Sequence, residues 1–213
     1  MKRFFLMTLV ALLPSCNGIF HGIYDSDDEK TYSRFGFVEY DPSRNSGTVY
    51  IDATDYTQWV YLDFHGRTAT AAGMEAEDAP ADWDIAVHRY DVKTNGASAL
   101  ETGITGLEIF VSSGEMPQGD YVEDVWTTDR IIVDMSGMMD GNIGYSESWY
   151  NSEISKWIDV DTGTMPPVYS MSRKVYAVKL SDGTNLALKL SNYMDASGVK
   201  GYMTIEYVYP LEF

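Results

Sequence analysis

An all-β fold, a single mostly antiparallel domain of two packed sheets with hairpins, is what the 213 residues predict. Three observations lead there. Apolar and polar residues alternate with period two along most of the chain, as strands with one buried face require. Glycine, proline, asparagine and aspartate recur between those stretches, where turns would fall. Helical periodicity is nearly absent, surfacing only at Ile154, Trp157 and Ile158 within residues 149–158.

In chain order, Phe35-Gly-Phe-Val-Glu-Tyr40, Thr48-Val-Tyr-Ile-Asp52 and Gln58-Trp-Val-Tyr-Leu-Asp-Phe64 alternate and are expected as strands. Residues 68–81 are alanine-rich and acidic and are expected as a loop. Strand character returns in Trp83-Asp-Ile-Ala-Val-His-Arg89 and yields to the turn-rich Thr94-Asn-Gly-Ala97. Leu107 to Val111, Tyr121 to Trp126 and Ile131 to Asp134 are expected as shorter strands. Residues 136–170 then hold a short helical or irregular excursion.

The clearest signal lies beyond that excursion. Lys174 to Leu180 and Leu186 to Leu190 alternate on either side of Asp182-Gly183, the dipeptide of a tight hairpin turn. The first arm puts Val175, Ala177 and Lys179 on one face and Tyr176, Val178 and Leu180 on the other. A last strand runs from Gly201 to Tyr209, where Met203, Ile205, Tyr207 and Tyr209 share a face. That makes Met203 a core residue.

The N-terminal end reads as an address. Lys2 and Arg3 precede the apolar run Phe4 to Leu13, long enough for a signal segment and too short to span a bilayer. Leu13-Pro14-Ser15-Cys16 resembles a bacterial lipoprotein cleavage box, with Cys16 as the residue to be acylated. Residues 1–15 are therefore expected as a signal peptide, 16–32 as the acylated cysteine and an acidic tether, and 33–213 as the β domain. The tether carries Asp25, Asp27, Asp28 and Glu29, resembling the segment that marks lipoproteins for the cell surface in Bacteroidetes. The expected location is the outer membrane, with several acyl chains on Cys16 as the only membrane attachment.

Charge and cysteine content exclude several functions. The chain carries −17 formally, and −19 once Lys2 and Arg3 are removed. A body so negative suits work outside the cell and repels nucleic acid, whose phosphates need lysine and arginine patches. With one cysteine in the chain no internal disulfide can form, so burial must supply the stability. Catalytic patterns are thin. The three histidines, His21, His65 and His88, show no zinc spacing, and neither a nucleophile elbow nor a phosphate-cradling glycine loop is present. Carboxylates abound, but nothing singles out a catalytic pair. The chain is read as a non-enzyme, and His88 as a structural partner.

Methionine is distributed unevenly. Five of eleven fall within residues 135–171, in loops marked by glycine and proline: Met135, Met138 and Met139, then Met165 and Met171. Two readings stand. Such residues fold back as gap fillers, the commoner case, or they offer soft thioether sulfur to a metal or an apolar face to a flat ligand.

A family resemblance bears on that choice. The run Ala81-Asp-Trp-Asp-Ile-Ala-Val-His-Arg-Tyr-Asp-Val-Lys-Thr-Asn-Gly96 resembles the Trp-Asp-Ile-Ala-Phe-His-Arg…Thr-Asn-Gly signature of HmuY-like haem-binding lipoproteins of Bacteroidetes. The likeness continues through Ser155-Lys-Trp-Ile-Asp-Val-Asp-Thr-Gly-Thr-Met-Pro-Pro-Val-Tyr169. It resumes in Lys174-Val-Tyr-Ala-Val-Lys-Leu180, Asn192-Tyr-Met194 and Gly198 to Pro210, so with the lipoprotein box it spans nearly the whole chain.

The resemblance implies an all-β haemophore that takes haem from host haemoproteins and delivers it to a TonB-dependent outer-membrane receptor. Some members ligate iron through two histidines and others through two methionines. This chain has no histidine after His88, so the resemblance implies the bis-methionine type. Met165 matches the second ligand position, and the Met138-Met139 pair matches the first. Met139 is preferred, with Met138 as alternative, because neighbours in an extended segment point opposite ways. Methionine ligation raises the haem potential, so ferrous haem should bind more tightly than ferric. Tyr145, Trp149, Tyr169 and Met171 are expected to wall the pocket, joined by Tyr150 and Trp157. Arg130, Lys156, Arg173 and Lys174 could offset the propionates. A second reading keeps the scaffold and replaces haem with a glycan or host protein.

Overall fold

Strands are the dominant regular element of the structure, a computed structural model that describes residues 30–164 and 166–213. The signal segment, Cys16, most of the tether, and Met165 lie outside the described residues. In order the strands are β1 (Gly36–Asp41), β2 (Ser46–Asp52), β3 (Trp59–Asp63), β4 (Thr68–Ala72), β5 (Ile85–His88), β6 (Asp91–Thr94), β7 (Ser98–Glu101), β8 (Val122–Glu123), β9 (Val125–Asp134), β10 (Gly144–Tyr150), β11 (Ile158–Asp161), β12 (Val168–Met171), β13 (Val175–Lys179), β14 (Asn185–Met194) and β15 (Lys200–Val208). One short helix, α1 (Leu107–Val111), interrupts them. No helix among the described residues is long and apolar enough to cross a membrane.

Two antiparallel sheets face each other. The larger has seven strands in the order β1-β2-β15-β14-β13-β7-β8, and the smaller has four in the order β4-β3-β5-β6. Their facing sides make the main core, which includes Val49, Ile51, Leu62, Val87, Leu188, Met203 and Ile205. The expected hairpin is β13–β14, with Gly183 at a φ of 88° in its turn. Its first arm buries both faces. Tyr176, Val178 and Leu180 enter the main core, while Val175 and Ala177 meet Phe110 and Leu211 in a second cluster behind the large sheet. Met203, Ile205, Tyr207 and Tyr209 share the main core, as their alternation predicts. Each such fully buried side chain contributes about 1.5–3 kcal/mol, which lets the fold stand without a disulfide.

Several elements depart from the sequence reading. Residues 68–72 are strand β4, not loop. They form an edge strand of small, mostly exposed residues that pairs only with β3, so no apolar face marked them. Leu107–Val111 is helix, not strand: Phe110 N–H donates to Gly106 O at 3.0 Å, and Phe110 is buried while Ile109 stays 67% exposed. Asp91–Thr94 is a fully buried strand whose polar residues hid it, each one bonded. Asp91 meets Arg130, Lys93 meets Tyr61, and Thr94 meets Asp124. The excursion at 136–170 is irregular as expected, with the 3₁₀ turns Met138–Asp140 and Ile154–Trp157, but it also contains β10 and β11 and the start of β12.

Candidate functional site

Two narrow antiparallel ribbons, β9–β10 and β11–β12, form two-stranded sheets of their own. The segment Asn151–Trp157 links them and is fastened to β6. Asn151 N–H donates to Val92 O at 2.6 Å, Val92 N–H to Ser155 Oγ at 3.0 Å, and Trp157 Nε1 to Tyr90 O at 2.7 Å. Ile154 and Trp157 are fully buried in the main core. Asn151 Nδ2 also donates to Val122 O and to Asp124 Oδ1. Buried polar groups so completely bonded hold a segment in one position.

The first ribbon joins residues 125–134 to residues 144–150, with register shifts after Gly144 and Ser146. At its base Arg130 Nε donates to Asp91 Oδ1 at 2.8 Å, and the guanidinium lies 5.6 Å from the Tyr150 ring centroid. Ile131 is fully buried against Trp59, Tyr61 and Ala86 on the outer face of the four-stranded sheet. At the tip Met138–Asp140 form a 3₁₀ turn closed by Gly141 N–H donating to Met138 O at 3.1 Å. Gly141 takes a φ of 77°, a left-handed conformation that glycine adopts without steric cost. The pair Met138-Met139 is thus not extended, and successive side chains of a 3₁₀ turn diverge by about 120°. Met139 is 85% exposed and Met138 36%.

The second ribbon pairs Ile158 with Met171, Val160 with Tyr169 and Asp161 with Val168. Ser172 N–H donates to Trp157 O at 2.9 Å and fixes its base. Asp161 Oδ1 accepts Gly163 N–H at 2.8 Å where the tip begins. Position 165 falls in the sequence between the two strands of this ribbon.

The expected pocket residues divide between the ribbons. Tyr145, opposite Ile132, is 43% exposed. Trp149 lies opposite Trp126, their rings edge to face at 5.5 Å between centroids. Tyr150 and Trp157 belong to the ribbon bases, and Trp157 is core. On the second ribbon Tyr169 and Met171 pack against the main core. The Tyr169 hydroxyl shares a 3.2 Å hydrogen bond with that of Tyr90, and its ring stacks on Tyr193 at 6.2 Å. Burial pushes the Tyr90 hydroxyl well above its ordinary range, aided by the Tyr169 bond.

The cations also divide. Arg130 is held by Asp91, Lys156 by Glu153, and Lys174 Nζ donates to Gly103 O at 2.8 Å. Arg173, two residues beyond β12, forms no ion pair among the described residues. Lys200 was missed by the sequence reading: its ammonium sits 4.7 Å from the Tyr169 ring centroid. No local pattern links residue 200 to 169, since β15 belongs to another sheet.

His88, on β5, and His65, between β3 and β4, lie outside both ribbons. His88 is 1% exposed, bonded through Nε2 to Tyr56 O at 3.0 Å, and burial lowers its pKa. His65 sits in a turn among Asp63, Asp84 and Asp182, with Nε2 3.0 Å from Asp182 Oδ2. That grouping was also illegible, because Asp84 and Asp182 join it only through the fold.

The family model of the HmuY protein matches residues 55–207. A candidate HmuY-like heme-binding protein of Bacteroides vulgatus is 58% identical, with a TM-score of 0.80 over 84% of this chain and all of that one. A candidate lipoprotein of Bacteroides fragilis is 48% identical, with a TM-score of 0.81 over 87% of this chain and all of that one. The apo HmuY analog of Tannerella forsythia shares the fold at 24% identity, with a TM-score of 0.66 over 76% of this chain and 94% of that one. None of the curated proteins matches the chain. A match across both sheets and both ribbons leaves one conclusion: the chain belongs to the HmuY family, a family of haem-binding proteins and not of enzymes.

Proposed function

We propose that this protein is a surface-anchored haem carrier that holds iron between two methionine sulfurs and passes haem to an outer-membrane receptor. The observation that carries the reading is the pair of ribbons on one buried root. The tip of one presents Met138 and Met139, and the turn of the other contains position 165 in sequence. A fixed root limits the spread of the tips, so less ordering is lost when a flat ligand enters. Thioether sulfur is a competent axial ligand for haem iron. Met139 is favoured because a sulfur that must meet an incoming haem has to be accessible, and Met139 is the more exposed of the pair. Arg173 and Lys200 are cations suited to the propionates, each flanking Tyr169 in sequence or in space.

Anchoring rests on the lipoprotein box at Cys16, and handover on family kinship. Hosts' haemoproteins would be the source and a TonB-dependent receptor the destination.

The test is a titration of apo-protein with haem, with and without dithionite. A sharp low-spin ferrous spectrum is expected, with tighter ferrous than ferric binding. Met165→Ala and Met139→Ala should each abolish it. A spectrum identical to free haem ends the proposal, and loss with Met138→Ala but not Met139→Ala moves the ligand by one residue.

A further inference from the structure

A cleft of about 600 Å³ lies between the first ribbon and the outer face of the four-stranded sheet, lined by Trp83, Lys93, Trp126 and Trp149 with Glu123 and Glu147. That volume falls in the range of small-molecule sites, roughly 300–1,000 Å³. Two features mark it as built. Trp126 and Trp149 hold their rings edge to face while leaving 52% and 53% of their surface exposed. Lys93 is 91% buried, since 9% of it is exposed, and lines the same cleft. Its ammonium hydrogen-bonds Tyr61 Oη at 3.1 Å and meets the rings of Trp59 and Tyr61 at 4.3 and 4.9 Å. Among the described residues it has no carboxylate within ion-pair distance, so donor capacity remains for a guest.

We infer that this cleft is a second binding site, specific for a neutral oligosaccharide and separate from the methionine-bearing tips. Charge decides between ligand classes. Four carboxylates, Glu75, Glu123, Asp124 and Glu147, line the cleft against one ammonium, which repels an anionic guest such as haem or a sulfated glycan. A cationic guest would meet the buried ammonium of Lys93, which lines the same cleft and repels it. An uncharged polyol meets neither objection. The electron-rich indole faces of Trp126 and Trp149 suit the C–H faces of sugar rings. Exposed Glu123 and Glu147 accept from hydroxyl groups, and Lys93 donates to hydroxyl or ring oxygen. Asp124 is excluded from that role because Thr94 and Asn151 already occupy its oxygens.

Tryptophan fluorescence and calorimetry should be followed while haem-free protein is titrated with neutral hexasaccharides of glucose, mannose, xylose and N-acetylglucosamine. A heparin hexasaccharide and spermidine serve as charged controls. Saturable binding of at least one neutral series is expected, weakened about tenfold or more in Trp126→Ala and in Lys93→Met. Trp126 plays no part in the haem reading, so Trp126→Ala should retain the ferrous haem band and thereby report that the ribbon is folded. No response to any neutral series overturns the inference. So does preference for either charged control, or unchanged binding by both variants.

Discussion

Arg130→Met should loosen the first ribbon in a way that reveals itself by pH. Asp91 lies on a strand of the four-stranded sheet with its side chain only 8% exposed, and Arg130 Nε at 2.8 Å is its one charged partner. Burial raises the Asp91 pKa and the guanidinium opposes that rise. Removing the guanidinium leaves a largely buried carboxylate without its cation. Breaking a fully buried pair costs about 3–5 kcal/mol, whereas an exposed pair is worth about 0–1. The Arg130 side chain is 48% exposed, so water can reach part of the vacated space. The expected loss at neutral pH is therefore intermediate, about 2 kcal/mol.

The pH dependence follows from the sign of the shift. In Arg130→Met the folded-state pKa of Asp91 should rise further above its unfolded value of about 3.9. Between those two values the folded chain binds more protons than the unfolded one, so stability falls as pH rises through the window. The deficit against the parent protein should be full at neutral pH and shrink on acidification. Urea unfolding at about pH 7 and pH 5 measures it, with Asp91→Asn and the double variant completing a cycle. Asp91→Asn should recover most of the stability lost in Arg130→Met. A deficit equal at both pH values, or a double variant no more stable than Arg130→Met alone, would refute the account of an orphaned buried charge.

Three further outcomes follow from the packing. Met203→Ala opens a void in the main core, where Met203 is fully buried, and should cost about 2–5 kcal/mol in urea while leaving the ferrous haem spectrum unchanged. Gly201→Ala should cost more than about 1 kcal/mol, because Gly201 takes a φ of 110° and a Cβ there would lie 2.8 Å from an Arg89 guanidinium nitrogen; thermal melts read the loss. Lys93 is pushed down to about 8 by burial. Above that value the unfolded chain keeps a proton that the folded one has released, so stability gains with pH up to about 10.4. The melting temperature of the parent protein relative to Lys93→Met should accordingly climb between about pH 7.5 and 9.5, and a flat difference would remove the ammonium from the cage.

The legible parts of the fold were those where burial followed alternation. Met203, Ile205, Tyr207 and Tyr209 face the main core because β15 is central to its sheet and one face of it must be apolar. Asp182-Gly183 marked its turn because few dipeptides accept that backbone. What stayed hidden has a common cause. The buried residues of β6 are Asp91, Lys93 and Thr94 beside Val92, and the root of the ribbons is Asn151, Glu153 and Ser155 beside Ile154 and Trp157. Each polar member is buried only because a distant partner bonds it, and distance in sequence conceals the partner. Leu107–Val111 failed for the opposite reason: five apolar and acidic residues alternate acceptably as strand, and only the position of Phe110 against the second cluster selects helix.

The same logic separates the two populations of methionine. Met203 stands in register with core neighbours, so its sulfur fills space and is replaceable by volume alone. Met138 and Met139 stand on a 3₁₀ turn closed by glycine, away from any buried cluster, so nothing in the folding of the sheets requires their thioethers. In the proposed carrier, that exposed apolar surface is what the ligand would cover. The root then matters more than the tips. The turn Ile154–Trp157 feeds both ribbons and is bonded to β6, while Arg130 ties the first ribbon to that same strand. On the proposed reading, a disturbance of β6 would move both ribbons together, whereas a substitution at Met139 or at Met165 would remove one ligand only. In the proposed carrier, haem release would then need only one arm to loosen while the buried root keeps its bonds, with no unfolding of either sheet.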